Sequence, residues 1–361
     1  MRLFNYTIVL FISLSAQSWA YEGKSLPEKV SKEIHKEFDV NPDTLIKVDN
    51  EFGNLNVTTW NQNKVVFDIT ITVEGKNKSK IQEKLEDINI IFKSSSSLIS
   101  AKTDIEKDNW RSWFKWGNDQ QYEINYTVKM PKKNNVDLSN DYGSIALNYL
   151  EGKATISCDY GKMVIGELMA PNNALSFDYT SNSTIDYFGG GTITADYSRF
   201  SVIEAENVTL NADYTSSKFE TLKTLNFAAD YGKVQVDNAQ VINGSGDYVS
   251  LRFGTLSEAL EVSTDYGVIR CTNISPSVKK VNINSNYTGI KLGVDPQWAF
   301  QHKIELEYSG LSSALPLTHK IERKESNEKY YEGYHLNANA KNTLTVESDY
   351  GGVKIYNAKE Y

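Results

Sequence analysis

Hydrophobic and polar residues alternate in short runs along most of this chain. Ile156 and Cys158 precede one Asp-Tyr pair at alternate positions, and Met163 and Ile165 follow it in the same way. Alternation with a period of two is typical of β-strands that bury one face. The pattern predicts a strand on each side of the pair, with Tyr on the buried face and Asp on the opposite face.

The Asp-Tyr pair recurs at a nearly constant period. Eight pairs follow one another at steps of 17 to 19 residues, after which the step lengthens to 21. A fixed period of this length indicates a repeat architecture. Phe52 takes the Tyr position in an early copy, and Tyr287, Tyr308 and Tyr350 belong to later copies. The eight pairs are Asp141-Tyr142, Asp159-Tyr160, Asp178-Tyr179, Asp196-Tyr197, Asp213-Tyr214, Asp230-Tyr231, Asp247-Tyr248 and Asp265-Tyr266.

Repeats of this size predict stacking of one copy on the next. A unit of 17 to 21 residues with two short strands cannot bury a face alone. Stacked units pair in parallel at about 4.8 Å per rung and bury columns of like side chains. We therefore predict an all-β chain, a parallel β-solenoid of roughly a dozen rungs. An antiparallel sandwich or barrel is the alternative, but it does not require the same residue types at the same phase.

The ends of the chain differ from the repeat. Residues 1–20 combine Arg2, an apolar run and small residues, which is typical of a signal peptide. Residues 21–136 are interpreted as an N-terminal cap with a first rung and a strand-helix-strand excursion, and residues 137–361 as the solenoid repeat region. Ile81, Leu85 and Ile88 have helical spacing within that excursion. The charged segment 319–336 is interpreted as a loop that occupies the place of a missing rung.

The chain is acidic. It has 38 Lys and Arg residues against 46 Asp and Glu residues, so its formal net charge is −8. This charge argues against nucleic acid and anionic membranes as partners. Beyond the signal peptide, no run of residues is long and apolar enough for a transmembrane segment. We expect an exported protein of the periplasm, the cell surface or the extracellular space.

The two cysteines are predicted to remain free thiols. Cys158 and Cys271 belong to rungs six steps apart, which corresponds to roughly 29 Å at the spacing between parallel strands. A disulfide needs Cα atoms within about 7 Å. We therefore expect no disulfide, and two buried thiols that pack as small hydrophobic groups.

The row of aspartates is the main candidate for chemistry. Carboxylates about 5 Å apart would suit a retaining glycosidase, but such catalysis needs two carboxyl groups in different environments. Eight equivalent aspartates single out no pair, so we expect no enzyme and predict no catalytic, cofactor-binding or metal-binding residue. The structural interpretation is that each carboxylate accepts the N–H two residues on, as at Gly143 or Thr180. A cation that bridges carboxylates is the alternative.

One segment stands out as a candidate contact site. "WRSWFKWGND" places Trp110, Trp113, Phe114 and Trp116 close together among charged residues. Clustered Trp and Arg are typical of binding hot spots. We predict that these four aromatic residues bind a partner, an unknown protein or a glycan. The alternative is that their rings cover the end of the solenoid.

Three segments resemble a known family. They are "LIKVDNEFGNLNV" (45–57), "VKMPKKNNVDLSNDYGSIAL" (128–147) and "LTVESDYGGVKIYN" (344–357). With them the chain resembles the "putative adhesin" family of β-strand-repeat proteins, exported bacterial proteins of unknown function. The resemblance covers nearly the whole chain after the signal peptide. It implies a parallel β-solenoid in the cell envelope and supplies no catalytic residue.

Three functions follow as hypotheses. The first is a non-enzymatic protein of the envelope or surface, with adhesin-like binding or a structural scaffold as its role. The second is a carbohydrate-active β-helix enzyme, a lyase or hydrolase. The third is a component of envelope-stress signalling.

Overall fold

The computed structural model describes residues 27–105 and 120–360 of the chain. The chain divides into two compact units, Met1–Leu168 and Met169–Tyr361. Within each unit, most strands pair in parallel with the equivalent strand of the neighbouring rung. The predicted all-β parallel solenoid is therefore confirmed. The signal peptide lies outside the described residues, and the predicted boundary at residue 136 remains a prediction.

The first unit contains one long antiparallel cap and the first rungs. Its elements are β1 (Glu28–Asp39), β2 (Leu45–Glu51), β3 (Leu55–Trp60), β4 (Lys64–Gly75), α1 (Lys78–Asp87), β5 (Ile88–Ser94), β6 (Leu98–Ile105), β7 (Gln120–Pro131), β8 (Val136–Asp141), β9 (Ser144–Leu150), β10 (Ala154–Asp159) and β11 (Lys162–Leu168).

The second unit contains the regular rungs and a C-terminal hairpin. Its elements are β12 (Asn173–Asp178), β13 (Ser183–Phe188), β14 (Gly191–Asp196), β15 (Arg199–Asp213), β16 (Ser216–Asp230), β17 (Lys233–Ser245), β18 (Ser250–Asp265), β19 (Val268–Ile274), β20 (Lys280–Asn286), β21 (Gly289–Val294), β22 (Phe300–Glu307), β23 (Leu311–Ser313), β24 (Thr318–Lys324), β25 (Glu328–His335), β26 (Asn342–Asp349), β27 (Val353–Asn357) and a 3-10 turn (Ala358–Glu360).

Two parallel stacks form the first unit. Strands β6, β2, β8 and β10 make one stack, and β7, β3, β9 and β11 make the other. Antiparallel strands cover the open edges, with β5 on β6, β4 on β7 and β1 on β4. Helix α1 lies where the sequence predicts helical spacing, and Ile81 and Leu85 are its buried residues. The Asn77 side chain accepts the N–H groups of Ser79 and Lys80 and so caps the helix.

The last rungs of the second unit are not stacked in chain order. Strand β26 pairs in parallel with both β20 and β22, so the rung of Tyr350 lies between those of Tyr287 and Tyr308. Strands β24 and β25 form an antiparallel hairpin that continues from β22. The interpretation of residues 319–336 as a loop in place of a missing rung is therefore wrong. An outermost strand has an unpaired edge, and this segment covers it.

Inward side chains form the core of each unit. The column that contains Ile193 and Leu210 continues through Phe227 in the next rung, and all three residues are buried. Cys158 and Cys271 are buried free thiols, as predicted. Burial raises the pKa of each thiol to about 12. Both cysteines therefore stay protonated and pack as apolar groups.

Glycines at the corners allow close approach between rungs. A Cβ on Gly351 would lie 2.0 Å from the carbonyl oxygen of Thr288 in the adjacent rung. Gly289, in the same unit, has no atom within 4 Å of the equivalent position. Neither glycine has a positive φ, so the space, and not the backbone conformation, distinguishes the two.

We predict that Gly351→Ala lowers the free energy of unfolding by about 1–3 kcal/mol, the usual cost of overpacking. Gly289→Ala is the matched control, and its effect should stay within about 0.5 kcal/mol. Urea denaturation of the full chain measures both changes. Equal midpoints for the two variants would show that the rungs can separate at no cost.

Strand β22 and the C-terminal hairpin bring three histidines near one another. The Nε2 of His302 lies 3.0 Å from the Nδ1 of His319, and His335 Nδ1 lies 2.9 Å from the carbonyl oxygen of Pro316. The buried Nδ1 of His302 has no hydrogen-bond partner within residues 27–105 and 120–360. Burial, and then the nearby His319, lower the pKa of His302 to about 4. The folded state therefore holds this imidazole in its neutral form.

Acid should destabilise the protein through His302. Its pKa is about 4 in the folded state and 6.5 ordinarily, so the unfolded chain binds the proton first. The contribution of His302 to the free energy of unfolding is fully present above pH 6.5 and falls as the pH drops from there towards 4. At pH 5 the loss should be on the order of 2 kcal/mol, and thermal unfolding as a function of pH measures it.

His302→Gln should remove this pH dependence. His35→Gln is the control. The hydrogen bond to Asp68 raises the pKa of His35, so protonation of His35 in acid favours the folded state and does not contribute to the loss of stability. Acid sensitivity that persists in His302→Gln would assign the effect to other groups.

Candidate functional site

The aromatic residue of each repeat lies at a corner of its rung in a left-handed backbone conformation. In the second unit its φ ranges from 47° to 55°. These nine residues are Tyr179, Tyr197, Tyr214, Tyr231, Tyr248, Tyr266, Tyr287, Tyr350 and Tyr308, and we call them the tyrosine ladder. A bulky residue with positive φ is unusual, so the corner must be held by its neighbours.

The tyrosine side chains point outward. Each ladder tyrosine of the second unit is 49–53% exposed, as are Tyr142 and Tyr160 of the first unit at 53%. The prediction that Tyr extends the inward column is therefore wrong. The left-handed conformation interrupts the alternation of the strand and turns the ring to the surface. In six of the nine rungs of the second unit the next residue is buried instead, for example Thr180, Thr215 and Val249.

Backbone hydrogen bonds between rungs hold the corner. From Tyr179 to Tyr350, each ladder N–H donates to the carbonyl oxygen of the residue before the ladder position in the next rung, at 2.8–3.1 Å. Hydroxyls of the buried residues add to this. Thr215 Oγ1 accepts the N–H of Ser198, and the carbonyl oxygens of Ala195 and Asp213 share its single hydroxyl hydrogen as acceptors. The recurrent small residue after Tyr was the sequence signal for this arrangement.

The aspartates hold neighbouring rungs together. The Oδ1 of Asp178 accepts the N–H of Asp196, and this contact repeats along the column to Asn286 at 2.7–3.3 Å. The predicted bond to the N–H two residues on is wrong at Thr180, Ser198 and Gly267, because each of these N–H groups donates to a hydroxyl of the next rung. Stacked carboxylates at about 4.8 Å repel by roughly 1 kcal/mol per pair in water, and charge-assisted bonds to N–H groups offset this.

The tyrosine rings stack on one another. In the second unit, neighbouring ring centroids are 4.6–5.0 Å apart and the ring planes differ by 2–8°. Each inner ring is thus covered on both faces by its neighbours. The exposed half of each tyrosine must be its edge and its hydroxyl group.

The ladder separates two surfaces of opposite charge in the second unit. On one side lies the aspartate column, where Asp196, Asp213, Asp230 and Asp247 line a groove. On the other side a groove of about 530 Å³ is lined by Tyr197, Tyr214, Arg199, Lys233 and small polar residues. Arg199 and Lys233 have no carboxylate within ion-pairing distance among the described residues.

The first unit has a shorter aromatic stack. Phe52 stacks on Tyr142 and Tyr142 on Tyr160, both with centroids 5.1 Å apart. Asp141 differs from the other ladder aspartates because burial, and then Asp159 and Glu51, raise its pKa. Within residues 27–105 and 120–360, no group of three or more His, Cys, Asp or Glu side chains could hold a metal ion.

The predicted partner-binding residues Trp110, Trp113, Phe114 and Trp116 lie outside the described residues. The described residues end at Ile105, the last residue of β6, and resume at Gln120, the first residue of β7. The role of these four aromatic residues in binding a partner therefore remains a prediction. No helix in the described ranges is long and apolar enough to cross a membrane.

Comparisons with known proteins concern the fold. No protein-family model and no curated protein matches the chain. A solved "putative cell adhesion protein" from Clostridium sporogenes is 13% identical over 91% of this chain and 98% of that chain, with a TM-score of 0.18. A "putative adhesin" from Bacteroides fragilis is 13% identical over 72% of this chain and 95% of that chain, with a TM-score of 0.26. A "putative lipid binding protein" from Parabacteroides distasonis is 13% identical over 70% of this chain and 94% of that chain, with a TM-score of 0.30.

Proteins described as adhesins are thus among the structures that this chain is similar to, as its strand motifs predict. At these identities and TM-scores the comparisons carry no conclusion about the role of this chain. The partner of this chain has to be inferred from its own surface.

The left-handed corner gives a test by substitution. At Tyr214, with φ of 52°, glycine should be tolerated better than alanine by about 1 kcal/mol. Both variants lose the same stacking contacts, so their difference in unfolding free energy reports the backbone conformation. At Ala228, an exposed position within strand β16, the order should reverse, and Ala228→Gly should be less stable than the unsubstituted chain. Equal stability of the two Tyr214 variants would exclude the left-handed corner.

Proposed function

We propose that this chain is an exported, non-enzymatic binding protein of the cell envelope or surface, and that the tyrosine ladder of the second unit binds an extended glycan. The observation that carries the proposal is the ladder itself. Nine tyrosines present their hydroxyl edges at one regular spacing, next to a groove lined by Arg199 and Lys233.

Stability alone does not account for tyrosine at the corner. A non-glycine residue in the left-handed region costs roughly 1–2 kcal/mol, whereas one stacked aromatic pair returns about 0.5–1.5 kcal/mol. The two contributions nearly cancel. Glycine or asparagine would fit the corner with less strain. Nine strained residues that expose a continuous aromatic strip are better explained by an interaction.

Of the two expected partner classes, protein and glycan, the ladder favours a glycan. Stacking covers both faces of an inner ring such as Tyr231, so ring faces are not offered as anchors for apolar side chains. The hydroxyl groups remain, and each can both donate and accept. A row of such groups suits a linear polymer whose own hydroxyls recur along its length.

The absence of catalysis is part of the proposal. In the second unit the aspartates from Asp178 to Asp265 make the same contact with the next rung, and this equivalence argues against a division into acid and base. The acidic chain and its signal-peptide pattern support an exported location. Adhesion and a scaffold role both remain compatible with this binding surface.

The test is binding of the full chain without its signal peptide to extended polysaccharides, neutral dextran and acidic polygalacturonate. Affinity electrophoresis should show retardation by at least one of them. The variant with Phe at Tyr214, Tyr231, Tyr248 and Tyr266 keeps the stacked rings but lacks four hydroxyls. Its affinity should fall roughly tenfold or more, since each lost hydrogen bond contributes about 0.5–1.5 kcal/mol.

The matched control replaces four tyrosines outside the ladder, Tyr149, Tyr187, Tyr330 and Tyr334, by Phe. It should bind as the unsubstituted chain does. Unchanged binding by the ladder variant would contradict the proposal, as would the absence of retardation by every polymer. Release of new reducing ends from any polymer would contradict its non-enzymatic part.

A further inference from the structure

We infer that the glycan bound beside the ladder is anionic, and that a column of four cations in the last rungs of the second unit binds its acidic groups. This inference rests on the proposed function and names the class of ligand. The four residues are Arg252, Arg270, Lys291 and Lys354, which we call the cation column.

The cation column runs parallel to the tyrosine ladder. Arg252 pairs with Arg270 in the register of β18 and β19, Arg270 with Lys291 in that of β19 and β21, and Lys291 with Lys354 in that of β21 and β27. Each cation follows a ladder tyrosine by four residues, and all four are exposed. Four like charges thus occupy successive rungs, about 4.8 Å apart, on one outward face.

The charges of the column are not neutralised within the described residues. No carboxylate there lies within ion-pairing distance of these four side chains, whereas Lys218 in the same column is paired with Glu220 and Asp237, both at 3.2 Å. Glu220 follows Lys218 by two residues, and this position is not acidic in the rungs of the cation column. Gly254, Thr272, Gly293 and Tyr356 occupy it there.

The cation column contrasts with the lysines that neutralise carboxylates elsewhere in the second unit. Acidic residues outnumber basic ones by 46 to 38, and many exposed lysines of the second unit do have acidic partners, such as Lys279 with Glu258 and Lys280 with Glu261. Adjacent like charges repel. A repeated, unneutralised column therefore points to a ligand that supplies the negative charge.

The ladder tyrosines of the same rungs can add hydrogen bonds. Burial and neighbouring phenols raise the pKa of Tyr350, so its hydroxyl remains a donor at neutral pH. Ser250, two residues before Arg252, places a further hydroxyl on this face, and its Oγ accepts from Arg252 Nε at 3.2 Å. Cations and hydroxyls in parallel rows match a polymer that carries a carboxylate and hydroxyl groups on each sugar.

A nucleic acid fits this surface less well. Proteins that bind single strands stack bases on aromatic faces, and here the faces of Tyr248, Tyr266 and Tyr287 cover one another. Duplex DNA carries about one charge per 1.7 Å of axis, and the aspartate column on the other side of the ladder would repel it. An acidic glycan has a lower charge density and needs only the one row of cations.

The test compares the affinity of the full chain without its signal peptide for polygalacturonate, for the same polymer after reduction of its carboxyl groups, and for an oligothymidylate. The acidic glycan should bind best, and its affinity should fall with salt. A variant with Gln at Arg252, Arg270, Lys291 and Lys354 should bind roughly tenfold more weakly or worse and show a smaller salt dependence.

A matched variant removes the same charge elsewhere. Gln at Lys279, Lys280, Lys303 and Lys324 also removes four positive charges, all from lysines that have acidic partners, and binding should persist. The thermal midpoint should not fall in the cation-column variant, because it loses repulsion and no ion pair.

Equal loss in both variants would overturn the inference, since it would reflect net charge alone. Stronger binding of the oligothymidylate would replace the glycan by a nucleic acid. Equal binding of the reduced polymer, lost on replacement of the ladder hydroxyls, would reject the anionic ligand and leave the proposed function standing. No binding of any polymer would reject both.

Discussion

The hydrogen bond from each ladder tyrosine N–H to the carbonyl oxygen of the next rung is the contact on which the remaining structure depends. It occurs at one corner of successive rungs with nearly constant length, from Tyr179 to Tyr350. To make it, the tyrosine adopts positive φ and turns its ring to the surface. The residue after the tyrosine then fills the corner, and the carboxylate of the aspartate before the tyrosine accepts the N–H of the aspartate in the neighbouring rung. One backbone contact thereby organises three columns of side chains.

Because the interior of each rung is filled, the chemistry of this molecule lies on its outward columns. When a charged residue recurs at the same position of successive rungs, the repeat creates a row of like charges on the surface. The aspartate column is stabilised by N–H donors of the protein itself. The cation column from Arg252 to Lys354 has no such internal partner among the described residues, and this difference is what makes it a candidate surface for a ligand.

Each unit also closes its stack in the same way. In the first unit β2 lies between β6 and β8, and in the second β26 lies between β20 and β22. In both, a strand distant in sequence enters the stack next to the outermost rung, and antiparallel strands cover the last edge. Exposed edges of parallel strands invite pairing with other chains. The irregular segments of the sequence are explained by this requirement.

The sequence by itself determined the solenoid, its period, the early copy at Phe52 and the absence of a disulfide between the two cysteines, because each follows from spacing that stacking must preserve. It could not determine the direction of the tyrosine rings, since alternation predicts an inward ring and only the bond between rungs enforces positive φ. The order of the last rungs and the alignment of Arg252, Arg270, Lys291 and Lys354 likewise required the tertiary structure. Residues 63 positions apart, such as Lys291 and Lys354, become neighbours only once a later strand is inserted into the stack.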